Sequence, residues 1–354
     1  MSSYPDKNIT NITGISSPNE ILREIGITPR QRALVGEFRK KIEDILDGRD
    51  LRLLAVVGPC SIHDIEGATE FAKRLSSLAH ELEEDLMIVM RVYFEKPRGT
   101  CGWKGLICDP YLDGTFRFED GLRISRKFLT HLVRMELPAA TEALDPIVPQ
   151  YLGDLFSWMA IGQRTVESNA HREMASGLSM PVGFKNAPNK DGVETEIRGI
   201  RTASRPNAFL GLSYDGTLSV LETKGNDYAH IVLRGGSSPN YGRLSISSTE
   251  RALSAAGLPV RIVIDCSHGN SELDPRKQAE VLDDIMAQIE NGNHSIVGFM
   301  LESYLEWGSQ TLQRERDKIE YGISLTDACI DWETTEKILR NAAERFSRVK
   351  ANLK

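Results

Sequence analysis

Four residues of this chain, Cys60, His268, Glu302 and Asp327, offer one thiol, one imidazole and two carboxylates. That mixture suits one borderline divalent ion such as Mn²⁺, Fe²⁺, Co²⁺ or Zn²⁺. Five basic residues, Arg91, Lys96, Arg164, Lys185 and Arg234, lie between them in the sequence. Arginine grips carboxylate and phosphate oxygens in a bidentate manner, and lysine supplies a point charge. Cations facing a metal imply a small substrate with two or three negative charges. Taken singly, each residue has a plainer reading. A cysteine at a strand end is commonly a small buried packing residue, and a histidine there is commonly a hydrogen-bonded structural one. Their positions along the chain decide between the readings.

Each of these residues ends, or closely follows, a short apolar run. LLAVVGPC leads to Cys60, LMIVMRVYFEK to Arg91 and Lys96, LPAATE to Glu142 and LFSWMAIGQR to Arg164. MPVGFK leads to Lys185, HIVLR to Arg234, VRIVIDCSH to His268 and SIVGFMLE to Glu302, with Asp327 in the loop beyond. Runs of this length, rich in Val, Ile and Leu and separated by helical patterns, read as strands buried on both faces. Eight of them with reactive groups at their C-terminal ends define an α/β fold, a (β/α)₈ TIM barrel whose active site lies on that rim. Strands one, seven and eight are neighbours when such a barrel closes, so the four candidate metal ligands can converge. The turn-rich segment Lys96-Pro97-Arg98-Gly99-Thr100 extends past strand two. It reads either as a second phosphate grip or as a solvated basic loop.

The remaining segments frame the barrel. Residues 1–28 read as a polar, weakly structured arm, broken by Gly14, Pro18 and Gly26. A helix follows, with Thr28 as N-cap, Pro29 at the first helical position and Gly48 near the exit. Its stripe of Leu34, Val35, Phe38, Ile42, Ile45 and Leu46 must pack on the barrel or on another subunit. Helical stretches are expected around 64–84, 119–135, 166–178, 192–203, 245–256, 274–291 and 333–350. AFLGLSY and TLSVLET, joined by Asp215-Gly216, read as a β-hairpin inserted before strand six, either a regulatory or oligomer surface or plain decoration. The expected organisation is an N-terminal arm and helix over 1–50 and a barrel over 51–354, with the hairpin at about 207–229.

Composition narrows the function classes. The 354 residues carry a formal net charge of −7, which argues against a nucleic-acid partner. No apolar stretch reaches the roughly 18 residues of a membrane helix, so no membrane partner is expected. The segment MSSYPDKNITNITG has no basic region followed by an apolar core, so no secretory signal is expected. The five scattered cysteines are expected to be reduced thiols in a cytoplasmic protein.

The stretches GPCSIHD (58–64), MRVYFEKPR (90–98), GWKGLICDP (102–110) and ATEALDP (140–146) closely resemble the type I 3-deoxy-D-arabino-heptulosonate 7-phosphate (DAHP) synthases. So do 167–186, HIVLRGGSSPNY (230–241), IDCSHGNS (264–271) and TDACIDWE (326–333). The resemblance implies condensation of phosphoenolpyruvate with erythrose 4-phosphate to give DAHP and phosphate, the first step of the shikimate pathway. It implies a divalent metal on Cys60, His268, Glu302 and Asp327. Phosphoenolpyruvate would lie among Arg91, Lys96, Gln163, Arg164, Lys185 and Arg234. The aldose phosphate would lie over Lys96, Pro97, Arg98 and Gly99, near Asp327. Lys96 is the expected proton donor to the developing alkoxide. Glu142 either orients water or forms a structural ion pair. The resemblance further implies a homodimer or homotetramer and an effector pocket outside the barrel, including Gln150, Ser179, Phe209 and Gly211. Glycine at 211 points to tyrosine rather than phenylalanine as inhibitor, although the arm shows little resemblance to regulated members.

The chain departs from the family pattern at the phosphate-gripping periphery. Gly99 stands where the family has a hydroxyl-bearing residue, and Gln163 where it has alanine. The segment after Lys185, Asn186 to Gly192, is altered and longer. An enzyme using another aldose is therefore the alternative reading. A catalytically silent barrel would be marked by a missing metal ligand or by loss of Lys96. A metal-dependent hydrolase would favour several histidine ligands, and this candidate set holds only one.

Overall fold

In the computed structural model, residues 8–97, 102–188, 192–312 and 319–353 are described. Eight parallel strands close into a barrel in the order β1-β10-β9-β8-β5-β4-β3-β2. They are β1 (Leu53–Gly58), β2 (Leu86–Arg91), β3 (Ala139–Glu142), β4 (Trp158–Ile161), β5 (Val182–Lys185), β8 (Ala229–Leu233), β9 (Ile262–Asp265) and β10 (Ile296–Glu302). The remaining two, β6 (Asn207–Leu212) and β7 (Leu218–Thr223), form an antiparallel hairpin outside it. The hairpin therefore ends at Thr223, and Asp215-Gly216 sits within a five-residue connection in which Gly216 has φ 82°.

Successive strand residues point to opposite faces, and the core divides accordingly. Leu54, Val56, Met87, Val89, Ala140, Trp158, Ala160, Val232, Val263 and Met300 form one cluster with Phe38, Ile42, Ile45 and Leu46. These strand residues fill the barrel interior, and the stripe of helix α2 (Pro29–Leu46) packs on the barrel itself. At Gly183 a Cβ would collide with Trp158 and Val232, so the missing side chain is where the indole fits. The alternate residues, among them Leu53, Ala55, Val57 and Ile88, pack with the surrounding helices.

Those helices are α3 (Ile65–Glu81), α4 (Phe118–Arg134), α5 (Val148–Leu152), α6 (Asn169–Gly177), α7 (Glu194–Ala203), α8 (Arg243–Ala255), α9 (Gln278–Glu290) and α10 (Trp332–Leu353). α6 starts later than the sequence pattern suggests, because residues 162–166 first make a turn closed by Thr165 N–H and Val166 N–H on Gly162 O. The arm also departs from expectation, since Pro18–Glu24 is a helix, α1. Its signal is Ser17-Pro18-Asn19-Glu20, a capping box with proline at the first turn. The arm is tied down at both ends of this helix. Tyr151 Oη donates to Ser16 O at 2.9 Å, Arg123 pairs with Glu24 at 2.7 Å, and Asn19 N–H reaches Tyr214 O of the hairpin loop.

Candidate active site

Two residues beyond the interior layer, the same faces of the strands turn polar. Val89 is followed by Arg91, Ala140 by Glu142, Gly183 by Lys185 and Val232 by Arg234. Val263 is followed by Asp265 and Met300 by Glu302. This ring of charge caps an apolar barrel at its C-terminal mouth. Arg91 Nη2 donates to Glu302 Oε1 at 2.8 Å, and Lys185 Nζ donates to Asp265 Oδ2 at 3.0 Å. All four groups are buried. Burial would raise the Glu302 carboxyl, but His268 and Arg91 hold it well below the usual range. Burial likewise opposes the charge on Lys185, and Asp265 outweighs it, raising the ammonium pKa.

The candidate metal ligands meet beside this ring. Ligand atoms of Cys60, Glu302 and Asp327 all lie within 4.8 Å of one another. His268 Nε2 is 3.3 Å from Glu302 Oε1 and 4.0 Å from Asp327 Oδ2. Its other nitrogen, Nδ1, faces Asp265 Oδ2 at 3.1 Å. A carboxylate on Nδ1 orients an imidazole so that Nε2 points into the site. His268 itself adopts φ 59°, uncommon for a residue with a side chain, in the turn that follows β9. Burial lowers the imidazole pKa, while Asp265 and Glu302 more than reverse this. Glu302 is held from behind as well, its backbone N–H and C=O both bonded to the Gln278 side chain at 2.9 and 3.0 Å. Cys60 is buried after β1, where its Sγ accepts from Lys96 Nζ at 3.0 Å and from Asp327 N–H at 3.4 Å. Burial, followed by Glu302, pushes the thiol up to about 12.

The other expected residues fall in several places. Lys96 is half-buried; burial opposes its charge, and Cys60 and Glu302 raise its pKa. Arg234 is buried, with its backbone N–H on Asn186 Oδ1 at 2.7 Å, and burial lowers its pKa. Glu142 packs its carboxylate into the space that a Cβ on Gly162 would occupy. Arg164 is exposed on the turn after β4, while Gln163 is half-buried with Oε1 unbonded among the described residues. Pro97 is half-buried, and Arg98 and Gly99 lie outside the described residues. Of the expected effector residues, Ser179 lines a surface cleft with Glu222 and Thr223 of the hairpin. Phe209 and Gly211 lie on the half-buried face of β6, and Gln150 is half-buried on α5.

Two residues of the site escaped sequence reasoning. Asp265 was legible in principle, as the carboxylate closing the apolar run IVID three residues before His268. Tyr93, whose ring lies 4.0 Å from the Arg91 guanidinium carbon, passes in the sequence as one more apolar residue of VYF.

A closed parallel barrel with a buried, charge-paired rim defines a TIM-barrel enzyme. Residues 25–340 match the DAHP synthetase I family. The chain is 51% identical over 333 residues to the Tyr-sensitive phospho-2-dehydro-3-deoxyheptonate aldolase of Escherichia coli K12, covering 94% of this chain and 93% of that protein. The Phe-sensitive enzyme of the same organism is 48% identical over 339 residues, covering 96% of each. A solved phospho-2-dehydro-3-deoxyheptonate aldolase from Francisella tularensis SCHU S4 superposes with TM-score 0.93 at 43% identity, over 96% of this chain and 99% of that one. This chain belongs to the DAHP synthetase I family. Among the described residues, no helix is long and apolar enough to cross a membrane.

Proposed function

We propose that this protein condenses phosphoenolpyruvate with erythrose 4-phosphate to give DAHP and phosphate, opening the shikimate pathway in the cytoplasm. The observation that carries the reading is Glu302, one buried carboxylate whose Oε1 meets both Arg91 Nη2 and His268 Nε2. The donor set fits one divalent ion, Mn, Fe, Co or Zn, held by Cys60, His268, Glu302 and Asp327. When bound, the ion supplies Lewis acidity to the aldehyde oxygen.

Everything else falls to side chains. Arg91, Gln163, Arg164, Lys185 and Arg234, with Lys96, neutralise the carboxylate and phosphate of phosphoenolpyruvate. Pro97, Arg98, Gly99 and Asp327 line the place of the aldose phosphate. A bond forms from C3 of the enol to the aldehyde carbon, and Lys96 protonates the resulting alkoxide. Water captures the cationic C2, phosphate leaves, and Glu142 orients that water.

In this reading the barrel, 51–354, carries the chemistry, and residues 1–50 with the hairpin serve assembly and control. The outward face of the hairpin, with Leu210, Leu218 and Val220 exposed, supports a homodimer or homotetramer. Gly211, together with the greater identity to the Tyr-sensitive relative, supports inhibition by tyrosine. The decisive assay is phosphate release from phosphoenolpyruvate with a panel of aldoses, with and without metal. Release only with erythrose 4-phosphate and metal upholds the reading, and release with another aldose alone replaces it.

A further inference from the structure

Tyr93 follows β2 and is only 2% exposed. Its ring is a meeting point of positive charge. The Arg91 guanidinium carbon lies 4.0 Å from the ring centroid, Lys96 Nζ 5.3 Å and Lys185 Nζ 5.5 Å. Cations so close repel one another, and the negative face of an aromatic ring attracts each of them. The same spot holds two donors that are buried and unbonded among the described residues, the Tyr93 hydroxyl and Arg91 Nη1. Native interiors rarely leave such groups unpaired, so two of them, one on a guanidinium and one on the ring it lies over, mark a missing acceptor.

We propose that Tyr93 is a substrate-binding residue whose hydroxyl, with Arg91 Nη1, donates to one oxygen of the phosphoenolpyruvate anion, while its ring keeps Arg91, Lys96 and Lys185 at the spacing that anion requires. The proposal rests on the phosphoenolpyruvate reading above. Water is a poorer occupant, because its own two hydrogens need acceptors and the charged heads around this ring are donors. A carboxylate or phosphate oxygen accepts from both groups and gives nothing back.

Two variants of the metal-loaded protein separate the two roles. Tyr93→Phe keeps the ring and removes one oxygen, so its Tm should match the wild type. Loss of a hydrogen bond to a charged group predicts about ten- to a hundredfold weaker phosphoenolpyruvate binding by calorimetry without aldose. The KM for phosphoenolpyruvate should rise while that for the aldose phosphate stays put. Tyr93→Leu should bind weaker still and lose kcat, since Lys96 keeps its Cys60 contact but loses the ring that sets its spacing from Arg91 and Lys185. Wild-type affinity in Tyr93→Phe overturns the hydroxyl role, and equal behaviour of the two variants overturns the role of the ring. Arg91→Ala is the control. If it loses binding while Tyr93→Phe keeps it, only the assignment of Tyr93 falls. If Arg91→Ala also binds as the wild type does, the phosphoenolpyruvate reading of this site falls with it.

Discussion

Glu302 and Arg91 pair at 2.8 Å with side chains 2% and 1% exposed, and the same carboxylate oxygen faces His268 Nε2. The charge proposed to face the substrate and the charge proposed to face the metal therefore share one atom. Removing that carboxylate leaves a buried guanidinium without its partner, at a cost of about 3–5 kcal/mol. Glu302→Ala should unfold at correspondingly lower urea and lose all turnover. An unfolding midpoint equal to the wild type would contradict the pairing.

The proposed metal dependence carries a definite pH sign. Without metal the Cys60 thiol sits near 12, and the neighbouring imidazole is raised as well. Binding must expel the thiol proton, so metal affinity should strengthen about tenfold per pH unit for each proton released at neutral pH. Chelator should abolish activity, and Mn²⁺, Co²⁺ or Fe²⁺ should restore it. Cys60→Ala and His268→Ala should lose metal and turnover together. A pH-independent metal Kd would show that the thiol is not a ligand.

His230 should make the fold sensitive to acid. It lies inside the barrel, where Trp158 Nε1 donates to its Nε2 at 3.2 Å and its Nδ1 faces Tyr228 O at 2.9 Å. Protonation would set one N–H against another, and burial already lowers the ring to about 4. The unfolded chain binds this proton first. The stabilising contribution is thus complete above about pH 6.5 and fades as pH falls towards 4, by at most about 3 kcal/mol. Glu95, raised to about 8 by burial and then Asp145, titrates with the opposite sign, so the comparison must be between variants. His230→Gln should flatten the fall of unfolding free energy across that window, as measured by urea titration. An unaltered slope would remove His230 from the account.

The proposed reading makes Gly99 a determinant of substrate choice. A missing hydroxyl at a charged phosphate costs roughly 1.5–3 kcal/mol, so the KM for erythrose 4-phosphate should be raised and Gly99→Thr should lower it. Loss of activity on the true substrate in that variant would mean that the pocket is built for another aldose.

The proposed inhibition by tyrosine would turn on a small volume. Tyrosine should inhibit more strongly than phenylalanine, and Gly211→Ser should reverse the preference by roughly 1–3 kcal/mol. A Cβ at 211 meets the tip of Leu221, a flexible end that can swing aside. A flat tyrosine titration of the wild type would refute this.

The barrel was legible because its cause is local and repeated. Each buried strand must be apolar, and each must stop where polar chemistry begins, so Arg91, Glu142, Lys185, Arg234 and Glu302 announced themselves by position. The same period-two logic reaches Asp265 from Val263, yet a reading that ran on to His268 passed over it. Helix α1 was missed for a different reason, since a seven-residue helix has too few turns to show periodicity and only its cap, Ser17 with Glu20, betrays it. Types and spacing by themselves thus determined the eight strands and singled out the candidate donors and cations at their ends. Only the tertiary structure decided which charge meets which. Lys185 to Asp265, Arg91 to Glu302 and the ring of Tyr93 beneath three cations are contacts between different strand ends, set by barrel closure and packing rather than by any periodicity along the chain.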